Sequence, residues 1–294
     1  MALNLTRRRF LCAAGLLPVT AALAPLARAS GSSDLHQQLE ALEKQHNGRL
    51  GMTLIDTASG HSLQYRGNER FPMCSTSKAL LAAAVLNLSL RQPDLLERRI
   101  HWDKSEKLSW MPVTEKHQDS GMTVSELCQA MIQYSDNLAA NLMLKLVGGP
   151  AAVTAQARAL GDQVTRLDRT EPTLNSAIPG DERDTTTPLA MARDLQKLAF
   201  GSGLPPRERQ LWIGWLRGNT TGKQSIAAGV PSGWQVGDKT GSGDYGTTND
   251  AALLWPPQRQ PLVLTVYFTQ PEKAAPSNRA VLAESARLTL AAWR

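Results

Sequence analysis

Leu35, Leu39 and Leu42 recur at helical spacing after Ser33, and Asn47-Gly48 closes that helix. Leu50, Met52 and Leu54 then alternate, which predicts a half-buried strand. Ala58-Ser59-Gly60 turns the chain into a second strand near 62–66. After Phe71 the period becomes helical and stays so for about 140 residues. Thr123 with Glu126 forms a capping box. Gly148-Gly149-Pro150 stops one helix and starts the next. Thr187 precedes a proline at the first position of another. Residues 166–185 show no period, and so long a structureless loop inside a compact domain is usually functional. Strands return at Gln235–Thr240, Ala251–Trp255 and Val263–Phe268. A last helix aligns Leu282, Ala286, Leu290 and Trp293 on one face.

This order predicts an α+β fold with a five-stranded antiparallel sheet. The strands near both ends share that sheet, flanked by the terminal helices, and an all-helical domain is inserted between them. The expected boundaries are 30–68 with 218–294 for the sheet domain, and 69–217 for the helical domain, including a loop over 166–184.

The first residues carry a different signal. Thr6-Arg7-Arg8-Arg9-Phe10-Leu11 precedes an apolar run from Ala13 to Leu26, and Ala27-Arg28-Ala29 follows. A basic start, an apolar stretch too short to span a bilayer and an A-x-A site predict an export signal cleaved after Ala29. Paired arginines followed by x-Phe-Leu fit a twin-arginine signal; an ordinary secretory signal is the alternative. Removing 29 of 294 residues leaves 265, and losing four arginines and no acid lowers the formal charge from +6 to +2. The basic balance therefore belongs largely to the leader and implies no nucleic-acid partner. A hydrophobic fraction of 42% and a charged fraction of 20% exclude a disordered chain. Of three cysteines, Cys12 leaves with the leader. Cys74 and Cys128 are too few for a disulfide framework and are expected as free thiols. The five histidines show no ligand spacing, so neither metal nor cofactor is expected.

Candidate chemistry lies in four islands. Ser75 and Lys78 stand three apart at the start of an apolar helical run, where an amine can meet a hydroxyl on one face. Ser135-Asp136-Asn137 precedes a helix, and its bland reading is a plain N-cap. Glu171 and Asn175 lie in the aperiodic loop, and a solvated loop acid is the alternative for Glu171. Lys239-Thr240-Gly241-Ser242-Gly243 ends a strand-like segment. The motifs S-x-x-K, S-D-N and K-T-G, in this order, mark class A β-lactamases and penicillin-binding proteins.

From about residue 33 to the C-terminus the chain resembles a class A serine β-lactamase. Asp238 to Gly243, Tyr245-Gly246-Thr247-Thr248-Asn249-Asp250 and Tyr267-Phe268-Thr269-Gln270-Pro271 are similar to the extended-spectrum cefotaximase group. The resemblance implies an active site between an all-helical and an α/β domain. It implies that Ser75 attacks the lactam carbonyl, with Lys78 as base or as partner of one, and that Ser135 passes a proton to the lactam nitrogen. It implies an oxyanion site at the backbone N–H groups of Ser75 and Ser242. Glu171 with Asn175 would activate the water that releases the ester.

Asn137 is expected on the substrate's side-chain amide, with Asp136 structural. Lys239, Thr240, Gly241 and Ser242 are expected along the wall facing the substrate carboxylate. Trp110 is expected at the entrance, with a core tryptophan as the alternative. Arg279 is expected to add positive charge, with a solvated arginine as the alternative. Arg169 and Asp184 are expected as an ion pair closing the loop, and Glu171-Pro172 as a cis bond. No second cysteine lies near Gly243 to pair with Cys74, so carbapenem hydrolysis is not inferred. The expected partners are small β-lactams, and the expected product is a monomeric periplasmic enzyme without a membrane anchor. The rival readings are a D-alanyl-D-alanine peptidase or penicillin-binding protein, and a non-hydrolytic β-lactam sensor.

Overall fold

A computed structural model describes residues 24–293. Helix α1 (Ala24–Gln45) leads into strands β1 (Arg49–Asp56), β2 (Ser62–Tyr65) and the short β3 (Phe71–Pro72). Helix α2 (Ser77–Ser89) follows, then β4 (Arg99–Ile100), β5 (Met122–Thr123), α3 (Val124–Gln133), α4 (Asn137–Val147) and α5 (Pro150–Ala159). After β6 (Thr185–Thr186) come α6 (Pro188–Phe200), α7 (Pro206–Arg217) and α8 (Ile226–Gly229). The chain ends with β7 (Gln235–Ser242), β8 (Thr248–Trp255), β9 (Leu262–Thr269) and α9 (Arg279–Trp293).

The five long strands form one antiparallel sheet in the order β2-β1-β9-β8-β7. Both ends of the sequence therefore contribute to it, as the element order predicts. Leu50, Met52, Leu54, Leu264, Val266 and Phe268 pack on one face with Leu35, Leu39, Val281 and Leu282 of α1 and α9. Ile55, Ala251, Leu253, Val263 and Tyr267 share a second core with helices α2 to α7.

That second layer corrects the expectation of a half-buried first strand. Gly51, Thr53 and Ile55 are as buried as Met52 and Leu54 between them. A Cβ at Gly51 would lie 2.4 Å from the Phe71 ring and 2.9 Å from Pro188. Alternation in sequence marks one apolar face, but here helices roof the other face too.

Helix α1 is also longer than expected. It runs from Ala24 rather than starting after Ser33, through the expected cleavage point at Ala29. Pro25 falls in the first turn, where no N–H is needed, and the helix runs on through Ser30-Gly31-Ser32-Ser33 although these residues favour it little. The leader's earlier part lies outside the described residues. Two small sheets, β3 with β6 and β4 with β5, were not foreseen, because two-residue strands leave no period. Strand β7 extends to Ser242 through its pairing with Thr248, so Lys239-Thr240-Gly241 lies inside the strand rather than at its end. Among the described residues, no single helix is long and apolar enough to cross a membrane.

Candidate active site

The site is assembled around the start of α2. A 3-10 turn at Cys74–Thr76 leads into that helix, and most of the helix is buried around its circumference. Ser77 Oγ donates to the Cys74 carbonyl at 2.9 Å, and Thr76 Oγ1 to the Met73 carbonyl at 2.8 Å. The Nδ2 of Asn249, on β8, donates to the carbonyls of Pro72 and Met73 at 2.8 and 3.1 Å. Strand β7 abuts the same turn. A Cβ at Gly241 would lie 2.8 Å from the Met73 carbonyl and 3.2 Å from the Ser75 nitrogen, so a side chain there would push strand and turn apart. Ser242, the next residue, is exposed at the end of β7. Lys78 lies one turn after Ser75, with Nζ 2.8 Å from Ser75 Oγ. The i, i+3 spacing does bring amine and hydroxyl together.

Ser135 holds a left-handed backbone (φ 58°) between α3 and α4. It does not cap α4; Asp136 does, with Oδ1 accepting from the Ala139 N–H at 3.0 Å. Asp136 Oδ2 accepts from the N–H groups of Val113 and Thr114 at 3.0 and 2.9 Å. This buried carboxylate thus ties the segment carrying Trp110 to the start of α4. Asn137 Oδ1 accepts from Lys78 Nζ at 2.8 Å, and its Nδ2 donates to the Ser109 carbonyl at 2.9 Å. Both ends of the Asn137 amide are therefore engaged within the protein.

The aperiodic loop brings in the carboxylate. Asp184 Oδ2 accepts from Arg169 Nε at 2.5 Å, and its Oδ1 accepts from the N–H groups of Asp168 and Arg169 at 2.7 and 2.9 Å. The Asp184 side chain is 1% exposed, so this is a buried closure rather than a surface pair. The Glu171-Pro172 bond is cis, as expected. Glu171 Oε1 lies 2.7 Å from Lys78 Nζ and 3.4 Å from Ser75 Oγ. Its Oε2 accepts from Asn175 Nδ2 at 2.6 Å. Glu171 is 3% exposed, which removes the solvated-acid reading. Asn175 Oδ1 is buried and receives no hydrogen bond from the protein.

Asn141 was missed in the sequence. Its Nδ2 donates to the Glu171 carbonyl and its Oδ1 accepts from the Glu171 N–H, both at 2.9 Å. One turn after Asn137 on α4, it fixes the Glu171 backbone to the helical layer. No sequence signal distinguishes it from a polar residue on an amphipathic helix.

Lys239 forms the opposite wall and is fully buried. Its Nζ donates to Ser135 Oγ at 3.1 Å, while Lys78 Nζ lies 3.4 Å from the same oxygen. The Ser135 hydroxyl thus bridges two amines. Burial, and then the charge of Lys78, push Lys239 down to about 7. Beneath it, burial holds the carboxyls of Asp238 and Asp250 above the ordinary range. Thr240 Oγ1 lies 2.5 Å from Thr221 Oγ1. Trp110 is 62% exposed, with Nε1 donating to the Tyr134 carbonyl at 2.9 Å, so it is not a core residue. Arg279 is exposed at the start of α9, and its hydrogen bond goes to Gln224 Oε1 at 3.4 Å. The structure thus brings Ser75, Lys78, Ser135, Asn137, Glu171, Asn175 and Lys239 into one network, with Trp110 and Arg279 outside its hydrogen bonds. Cys74 and Cys128 are free and buried, and burial raises both thiols well above their usual range. Among the described residues, no group of three His, Cys, Asp or Glu could hold a metal.

A buried Ser–Lys–Glu cluster beside an antiparallel sheet is an arrangement that serine acyl transfer could use. The sequence matches the β-lactamase enzyme family over residues 34–293, and the chain belongs to that family, within class A. It is 54% identical to β-lactamase OXY-2 of Klebsiella oxytoca, over 92% of this chain and 96% of that protein. It is 56% identical to β-lactamase CTX-M-8 of Citrobacter amalonaticus, over 87% of this chain and 88% of that protein. Among solved structures, a β-lactamase from Desulfarculus baarsii superposes with a TM-score of 0.87 at 49% identity, covering 89% of this chain and 97% of that one. A variant of the last common ancestor of Gram-negative class A β-lactamases gives 0.85 at 55% identity, covering 88% and 98%. The chain is thus a class A β-lactamase of the cefotaximase-like group.

Proposed function

We propose that this enzyme opens the lactam ring of penicillins and cephalosporins through an ester on Ser75, which Glu171 and Asn175 then release. Ser75 Oγ accepts from Lys78 Nζ at 2.8 Å and donates to Glu171 Oε1 at 3.4 Å, so its proton leaves toward Glu171, or toward Lys78 once that amine has passed a proton to Glu171 Oε1 at 2.7 Å. As Oγ bonds to the lactam carbonyl carbon, negative charge grows on the carbonyl oxygen. The backbone N–H groups of Ser75 and Ser242 receive it, where each such donor is worth roughly 3 kcal/mol of barrier. The C–N bond breaks, and the ring nitrogen takes a proton through Ser135, whose hydroxyl is 3.1 Å from Lys239 and 3.4 Å from Lys78. Lys239, Thr240 and Ser242 hold the substrate carboxylate, with Arg279 adding positive charge beside them. Gly241 keeps strand β7 close enough to Ser75 for this. Asn137 orients Lys78 through Oδ1 and keeps its second Nδ2 hydrogen for the substrate amide, and Trp110 borders the entrance.

Release of the ester rests on one observation, the placement of Glu171 beside both Ser75 and Asn175. A water donating to Glu171 Oε1 and to the donor-free Asn175 Oδ1 is held against the acyl carbon. Glu171 takes its proton, the ester bond breaks, and Ser75 recovers its hydrogen. A penicillin-binding protein or a covalent sensor would have no use for this pair. The enzyme is proposed to act as a monomer in the periplasm after cleavage at Ala29, with the sheet domain over 30–68 and 218–294 and the helical domain over 69–217. Mass spectrometry with benzylpenicillin tests the chemistry. Ser75→Ala should take no adduct, and Glu171→Ala should hold one. Rapid release by Glu171→Ala would refute the deacylation role.

A further inference from the structure

Away from the site, α6 buries a carboxyl group that the hydrolytic scheme does not use. Asp194 is 1% exposed, and neither of its oxygens receives a hydrogen bond. It borders a cavity of about 210 Å³ shared with Asp162, from the turn after α5. Two acids facing each other with no donor between them require a proton or a cation. The surroundings disfavour an added metal ion, and burial favours the proton although the neighbouring cations act against it. Lys197 and Arg193 from α6 line the cavity, and Arg158 approaches from α5, so the space is already rich in positive charge. Lys197 Nζ donates to the Leu160 carbonyl, and Arg158 Nη1 to the carbonyls of Asp162 and Thr165. Tyr267 of β9 is a further titratable neighbour, and its hydroxyl lies 3.2 Å from Thr76 Oγ1.

Asp162 has a task of its own. Its Oδ1 accepts from the N–H groups of Val164 and Thr165 at 2.6 and 3.1 Å. Thr165 Oγ1 in turn meets Thr186 Oγ1 at 2.6 Å, and the Arg166 N–H donates to the Thr185 carbonyl at 3.0 Å. Asp162 thus shapes the point where the loop carrying Glu171 leaves the helical layer.

We infer that Asp194 stays a neutral acid through neutral pH and donates its proton to Asp162, so that the pair is a pH-sensitive latch on the entry to the Glu171 loop. Burial, then the charge of Asp162, push Asp194 up to about 9. Loss of the proton leaves two buried negative charges together, which opens the entry. The bearing on catalysis rests on the role proposed for Glu171; the latch itself does not.

The test therefore uses readouts that need no substrate. Asp194→Asn keeps the shape and a donor but cannot ionise. The unfolded chain releases the Asp194 proton near the ordinary value of 3.8 and the folded chain only near 9. Wild-type stability should accordingly fall, relative to the variant, by roughly tenfold in the unfolding constant per pH unit between those values. It should level off above the upper one. Hydrogen exchange in wild type should show the Val164 and Thr165 amides opening at least tenfold more readily at pH 10 than at pH 7, after correction for intrinsic exchange, with no such change in the variant. Parallel stability curves for the two proteins would overturn the proposal. If the variant does not fold, the carboxyl carbon shift of Asp194 in the wild type decides, and titration near 4 would overturn it. A melting temperature raised by calcium and lowered by EDTA would put a cation in place of the proton and equally overturn it.

Discussion

The backbone N–H of Met73 donates to the carbonyl of Asp184 at 2.8 Å. The residue that closes the loop over Glu171 is thus fastened two positions before Ser75. The turn of the proposed nucleophile and the loop of the proposed general base share one anchor, reinforced by the pairing of β3 with β6.

Removing that anchor's side chain should therefore damage both stability and turnover. Asp184→Ala takes the Nε partner from Arg169, which keeps Ser176 and Asp181, and leaves the N–H groups of Asp168 and Arg169 without their acceptor. Breaking a buried pair from one side costs about 3–5 kcal/mol. Calorimetry should show that loss in the melting temperature, and stopped-flow kinetics should show deacylation falling more than acylation.

Lys239 should impose an alkaline limb on kcat/KM. Its ammonium loses a proton near 7 in the free enzyme, because burial and Lys78 disfavour the charge. The positive wall for the substrate carboxylate is present below that pH and fades above it, and kcat/KM reports the free enzyme. Lys239→Arg keeps its charge at all working pH values. The limb should vanish from a pH profile of the arginine variant, whatever its absolute rate.

Asn141→Ala should slow release of the ester without blocking its formation. Two hydrogen bonds hold the Glu171 backbone to α4 through this side chain. Leaving their partners unsatisfied costs roughly 1–3 kcal/mol each. Acyl-enzyme should accumulate at steady state in rapid-quench mass spectrometry, while the acylation rate stays within about tenfold of wild type, a modest change in barrier.

Asp136→Ala should be worse for the fold than Ser135→Ala. Asp136 serves three backbone donors and the hydroxyl of Thr114 in a fully buried position. An N-cap alone is worth about 1 kcal/mol, and stranded buried donors add to that. Thermal unfolding should show a loss of several degrees for Asp136→Ala and little for Ser135→Ala, which should instead lose activity.

The amino-acid sequence by itself determined the order of the long elements, the shared antiparallel sheet, the caps at Thr123, Gly148 and Thr187, and the proximity of Ser75 and Lys78. These rest on periodicity or on short spacings, which local geometry turns directly into structure. Tertiary structure decided what lies far apart in the chain. It buried both faces of β1 by bringing Phe71 and Pro188 over Gly51. It gave the cap of α4 to Asp136 by supplying Val113 and Thr114 as donors. It set Asn141 under Glu171 and Asp194 against Asp162. A side chain on an amphipathic helix carries no mark of the loop that will fold over it, so such partnerships arise only when the layers pack.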